Sequence, residues 1–171
     1  MKKELPYCKT SEAIIGYENS ELAKSETNDC VVRAFASAYE IPYEDAHRFI
    51  SERFGRKHRK GTYSFNSKMN KMGEIKELIH NHYLRILGEK KIYGEYFAGY
   101  SLSYDVKVKG VTKQRQMTVG TFAKKYSKGT YIITIRAHAF TLKDGVVIGN
   151  PNDCKRLRSI VEQAWEVVKF N

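Results

Sequence analysis

The chain has 171 residues, 42% of them hydrophobic and 12% aromatic, and its 30 basic against 19 acidic side chains leave a formal net charge of +11. That length suits one domain, residues 1–171, with a proper core. No apolar run approaches the roughly eighteen residues of a membrane helix, and Met1-Lys2-Lys3-Glu4-Leu5-Pro6-Tyr7 lacks the apolar segment of a secretory signal. Three cysteines, Cys8, Cys30 and Cys154, are odd in number and have no CxxC spacing. They argue against a disulfide framework and a zinc site, and for a reducing, cytoplasmic setting.

Residues 1–24 read as an N-terminal extension in which Ile14-Ile15 either forms a short edge strand or simply pins the segment to the core. A run of capping residues, Thr27-Asn28-Asp29, then opens a helix from Cys30 to about Tyr39, with Val31, Ala34, Phe35 and Ala38 on one face. Unpaired N–H groups and the positive end of the helix dipole favour thiolate over thiol at Cys30. The plainer alternative is a small buried residue. Ile41-Pro42 ends that helix, and Pro42 suits the first turn of a second one. Glu44 and Asp45 stand at its positive end, Ala46, Phe49, Ile50 and Phe54 form its buried stripe, and Gly55 stops it.

The loop 55–61 concentrates positive charge, and Arg56, Lys57, Arg59 and Lys60 are its candidate anion-binding residues. With the overall charge they suggest nucleic acid or an acidic protein as a partner, solubility being the alternative. No helix-turn-helix, zinc-finger or aromatic-sheet signature accompanies them. Met69, Met72, Ile75 and Leu78 predict a third helix from Ser67 to about Leu78. Leu84–Leu87 and Tyr104–Val108 alternate like strands, but 84–117 as a whole reads as an insertion without a legible path.

Thr118 is a candidate N-cap for a helix through Val119, Phe122, Ala123 and Tyr126, with Gly129 as its C′ glycine. Thr130–Ile135 is strongly β-forming and runs on through Arg136 to Leu142, so His138 is expected on a strand between the small residues Ala137 and Ala139. Lys143-Asp144-Gly145 is a tight turn, and Val146–Asn150 returns as the partner strand. The stretch 158–170, with Trp165, reads as a strand that ends the sheet, a helix being the alternative.

The expected architecture is therefore α+β: an N-terminal helical half that carries Cys30, packed on an antiparallel sheet that carries His138 and Asn150. With the turn midway between them, His138 and Asn150 are expected close together across the strand pair. Thiol, imidazole and amide are the parts of a Cys-His-Asn acyl-transfer site. Cys30 would be the nucleophile, His138 the base and Asn150 the group that orients the ring. Backbone N–H groups at the helix start would form part of an oxyanion hole.

The order of Cys on a helix, His on a strand and Asn on the next strand resembles the papain-like cysteine peptidases. More closely, Asn28-Asp29-Cys30-Val31-Val32-Arg33-Ala34 is similar to the opening segment of a group of small phage-encoded papain-like proteins. Gly129-Thr130-Tyr131-Ile132-Ile133 running into His138-Ala139, then Asp144-Gly145-Val146, is similar to the same group. The resemblance covers 25–60 and 118–168, and covers 62–117 poorly. It implies a papain-like fold and a thiol hydrolase or acyltransferase acting on amide or isopeptide bonds of a protein or peptide, in a host cytoplasm if phage-encoded. In that group the third member is commonly Asp, followed by a Thr-Trp-Asp segment and basic residues. Here the positions read Asn150-Pro151-Asn152-Asp153, then Lys155, Arg156 and Arg158. Asp153 is thus the alternative orienting group, while register and motif favour Asn150. Papain-like enzymes usually place a Gln six residues before the nucleophile; here that position is Lys24, and Asn28 is the nearest amide able to serve the oxyanion site. The alternative reading is a catalytically weak or inactive papain-fold protein that binds nucleic acid or an acidic host protein.

His47 and His58 are expected in solvent. His80 and His82 lack a third ligand, so neither a metal nor another cofactor is expected.

Overall fold

The computed structural model describes residues 4–62, 91–97 and 103–170. The expected helix at 67–78, the strand at 84–87, and His80 and His82 lie outside them.

Aromatic and β-branched residues in the second half of the chain build most of one mixed sheet, with helices on both of its faces: an α+β arrangement. The chain begins with strand β1 (Tyr7–Lys9) and the short helices α1 (Thr10–Ala13) and α2 (Glu21–Ser25), then α3 (Cys30–Tyr39) and α4 (Tyr43–Phe54). Strand β2 (Lys91–Phe97) is followed by a separate hairpin, β3 (Ser103–Val108) and β4 (Val111–Gln116), and by helix α5 (Val119–Lys125). Strands β5 (Thr130–Ile135), β6 (His138–Lys143) and β7 (Val146–Gly149) lead to a 3-10 turn at Asp153–Lys155 and the last strand, β8 (Gln163–Phe170).

The six-stranded sheet has the order β1-β7-β6-β5-β8-β2. Its pairs are antiparallel except β1 with β7, where Tyr7 stands opposite Val147 in a parallel ladder. The all-antiparallel expectation fails at that edge because the strand comes from the N-terminal segment. It uses Tyr7-Cys8-Lys9 rather than Ile14-Ile15, which form no strand; Ile14 is buried and Ile15 exposed. Three residues carry too little alternation to announce a strand. β8 does not end the sheet either: it lies between β5 and β2, with buried Trp165 opposite Ile132.

The face carrying Ile132, Ala139, Trp165 and Val167 packs on α3 and α4. The opposite face, with Ile133, Phe140, Leu142 and Val147, packs on α5 and Met117. α3 is buried on nearly all sides, not on one stripe, and only Cys30 and Arg33 are partly open. Its alanines permit close approach to the sheet, so that Thr141 Oγ1 donates to the Ala34 carbonyl at 2.8 Å. Both long helices end as their sequences indicate, at left-handed Glu40 and Gly55. Pro42 is the N-cap of α4, one position before the expected first turn. Thr118 caps α5 by accepting from Thr121 N. That helix stops at Lys125, four residues short of Gly129, whose φ of 98° serves the entry to β5 instead.

Candidate active site

Four residues deliver the chain from α2 to the cysteine, and each is held. Asn28 takes a left-handed φ of 54°, a conformation its short polar side chain tolerates. Asp29 occupies the N-cap of α3 without capping it through its side chain. Its carboxylate instead accepts from Arg33 Nε at 3.0 Å and from the Tyr43 hydroxyl at 2.7 Å. That side chain therefore satisfies none of the first-turn amides, and their partial positive charge lies at Cys30.

His138 reaches the thiol from a reverse turn. The expected continuous strand 130–142 is broken at Arg136-Ala137, with Ala137 at φ 55°, and His138 opens β6 opposite Ile135. An Arg-Ala turn has none of the Gly, Asn or Asp that announce a two-residue hairpin, which is why the sequence conceals it. Left-handed alanine costs about 1–2 kcal/mol. The turn sets the imidazole at the mouth of the sheet.

The ring Nε2–H donates to Asp153 Oδ1 at 2.9 Å, which leaves Nδ1 as the nitrogen available to Cys30, beside which His138 lines the same cleft. Asp153 is fully buried, and its two oxygens also accept from Arg156 Nε at 3.0 Å and from the Asn150 backbone N–H at 2.6 Å. The group on the imidazole is thus Asp153, the alternative orienting residue, and not Asn150. The register explains the correction. Thr141 pairs with Ile148, so extending the ladder would set Asn150 opposite Ala139, on the other face from His138. β7 ends at Gly149 instead, and the turn that follows brings Asp153 beneath the ring. The Asn150 side chain faces α3, where its Oδ1 accepts a 2.5 Å hydrogen bond from Arg33. Asn150 therefore ties the aspartate turn to the cysteine helix, its backbone holding Asp153 and its amide holding Arg33.

Gly149 is a site residue that sequence reasoning missed. A Cβ there would stand 2.4 Å from Asp153 Oδ2 and 3.1 Å from Phe140 Cβ, so only glycine admits the carboxylate. Gly149-Asn150 before a proline offered that signal, as a close backbone approach. Arg33 was missed as well; a charged residue one turn after the cysteine was its only mark.

The charges are mutually supporting. Burial pushes the Cys30 thiol up, but the hydrogen bond and charge of His138, the Ala139 N–H and the Arg33 guanidinium bring it below its ordinary value. Burial pulls His138 down, yet its bonds to Asp153 and Cys30 raise it to about 9. Burial would raise Asp153, and the same contact with His138, aided by Asn150 N–H and Arg156, holds it low. The two shifts together favour the thiolate–imidazolium pair over the neutral pair.

A cleft of about 580 Å³ opens over the sulfur, lined by Cys30, His138, Arg33, Thr134 and Asn28 among others. Asn28 lies in that wall; one Nδ2 proton goes to the Arg59 carbonyl at 3.3 Å, and Nδ2 carries a second. Lys24 lies on α2, its side chain 57% exposed and paired with Glu21, and is not in the cleft wall.

The basic loop is organised differently from its expected role. Arg56 is no surface anion-binder: its guanidinium is fully buried and donates to both oxygens of buried Glu26 at 3.0 and 2.8 Å. His47 Nε2 and His58 Nδ1 meet the same Oε1 at 2.7 and 2.9 Å, and Arg59 N–H meets Oε2 at 2.9 Å. The solvated expectation thus fails for His47, which is largely buried, and holds in part for His58, whose side chain is about half exposed. Burial would raise Glu26, but Arg56, the Arg59 amide and His47 hold it far below the carboxylate range. Lys57, Arg59 and Lys60 remain exposed.

Cys8 and Cys154 bond to Glu12 and the Lys9 carbonyl, and to the Pro151 carbonyl, and among the described residues no histidine bonds to either. Among the described residues no cluster of three or more His, Cys, Asp or Glu side chains is arranged for a metal ion, and no helix is long and apolar enough to cross a membrane. No protein-family model, curated protein or solved structure matches the chain.

Proposed function

We propose that the protein is a papain-like thiol hydrolase or acyltransferase that works on amide or isopeptide bonds through Cys30, His138 and Asp153. The observation that carries this reading is that His138, held at 2.9 Å by a fully buried Asp153, stands with Cys30 in the wall of one cleft. In the reaction, His138 Nδ1 takes the Cys30 proton and the thiolate attacks the substrate carbonyl carbon. The Cys30 backbone N–H and the Asn28 amide are the candidate donors to the resulting oxyanion. As the intermediate collapses, the imidazolium returns its proton to the departing amine, leaving a thioester on Cys30. A water, or an amine in a transfer reaction, then gives its proton to His138, attacks the thioester and frees the thiol. Asp153 holds the ring in the tautomer that both steps need and stabilises its charged form.

Iodoacetamide labelling at pH 6 tests the reading. Cys30 should react much faster than Cys8 or Cys154, and Cys30→Ala should abolish hydrolysis of peptide substrates. Equal labelling of the three thiols would sink it. A second reading, a papain-fold binding protein with little or no catalysis, is favoured by Lys24, which pairs with Glu21 and is not among the described residues of the cleft wall, at the position of the usual oxyanion glutamine. It predicts partner binding that survives Cys30→Ala.

A further inference from the structure

A second cavity of about 550 Å³ lies beside the thiol cleft, and Ile135 and Glu162 line both. The hairpin turn sets its direction: Ile135 pairs with His138, and Arg136 follows on the turn. Buried Ile135 and Val161 make the floor apolar, and Ile160, 41% exposed, stands beside them. Two guanidinium groups line the same space. Arg156 gives Nε to Asp153 and keeps 42% of its side chain exposed. Arg136 is exposed and forms no ion pair among the described residues. Against them stands one carboxylate, Glu162.

We infer that the groove beyond Ile135 is a subsite for an acidic side chain, Asp or Glu, of a polypeptide that lies across Cys30. The inference rests on the hydrolase reading for the way the substrate chain runs past the sulfur, but the binding itself does not need an active thiol. An extended chain leaving the cleft on the histidine side passes the two arginines within a few residues of the scissile bond. Guanidinium groups bind carboxylates in a fixed planar geometry, and an apolar floor strengthens the pair by displacing water. The apolar floor also suits the aliphatic stem of glutamate. A nucleic-acid strand fits less well. Such sites add stacking aromatics to their positive charge, and among the described residues lining this cavity none is aromatic.

The test uses the full-length Cys30→Ala protein and short fluorescein-labelled peptides in which one Glu, Gln or Lys is moved along an otherwise neutral sequence. Anisotropy titrations should find a register at which Glu binds about 2- to 5-fold tighter than Gln, the range of a partly exposed ion pair. Arg136→Ala should erase that preference, and Arg136→Glu should turn it toward Lys. Equal binding of Glu and Gln peptides in every register overturns the inference. So does a Glu preference that survives Arg136→Glu, or failure of every peptide to bind. Tighter binding of an oligothymidylate than of any peptide, lost in Arg136→Glu, would assign the groove to nucleic acid instead. Alkylation of Cys30 in the wild type judges the hydrolase reading separately. A sluggish thiol above an acid-selective groove rejects the enzyme and keeps the subsite; a reactive thiol above an indifferent groove does the reverse.

Discussion

Two buried carboxylates in this protein each hold histidine, and they do opposite things. Glu26 meets His47 and His58 but is saturated by a bidentate arginine and a backbone N–H, so its charge is spent on fastening the loop 55–60 to the segment before Cys30. Asp153 meets one histidine, and the other nitrogen of that ring faces a thiol at the base of a cleft. A buried carboxylate–histidine contact is therefore no mark of an active site. What distinguishes Asp153 is that its histidine lines an open cleft together with a thiol, that of Cys30.

The largest expected effect separates the two carboxylates by function. Asp153→Asn should lower kcat/KM by about 10²–10⁴-fold, because the neutral amide can still accept from Nε2–H but no longer supports the imidazolium charge; a loss under tenfold in a steady-state assay would refute that role. Glu26→Gln should instead act on stability. It leaves Arg56 buried without its counter-charge, a loss of about 3–5 kcal/mol, read by urea denaturation. The pH dependence of Cys30 alkylation should not move in the molecules that remain folded.

The acid limit of stability sharpens the same contrast. Glu26 titrates far lower folded than unfolded, so its contribution is fully present above the unfolded value near 4.5 and is lost as pH falls below it. Wild type should lose stability over that range, and Glu26→Gln should lose less, in thermal melts from pH 5 down to pH 2. His138 has the opposite sign. Raised to about 9, it stabilises the fold fully below about 6.5, and that contribution fades as pH rises through 9. Hydrolysis should show an alkaline limb near the same pH, where the acid that protonates the leaving amine is lost. The smallest effect is expected at Asn150. Asn150→Ala removes the amide bond to Arg33 but keeps the backbone N–H on Asp153, so it should cost about 1–3 kcal/mol in denaturation and only a few-fold in kcat. A loss as large as that of Asp153→Asn would return the orienting role to Asn150.

Local chemistry was legible wherever a short stretch settles its own conformation. The span of α3, with Cys30 at its first turn, follows from a polar run ahead of an apolar period. α4 follows from Pro42 and Gly55, and the β6–β7 hairpin from Asp144-Gly145, both of which adopt positive φ. These features depend on propensity and period, which neighbouring residues carry. The imidazole partner depends on where β7 stops and how the chain turns after Gly149. The fate of Arg56 depends on a glutamate thirty residues earlier, and the parallel edge strand joins residues 7–9 to 147–149. No local pattern encodes such pairings, because the free energy of an ion pair or ladder is set by partners that meet only when the chain has folded. The sequence by itself therefore determined that a cysteine opens a helix and that a histidine sits near a hairpin. Only the tertiary structure decided that Asp153, admitted by the missing side chain of Gly149, holds that histidine in place of Asn150.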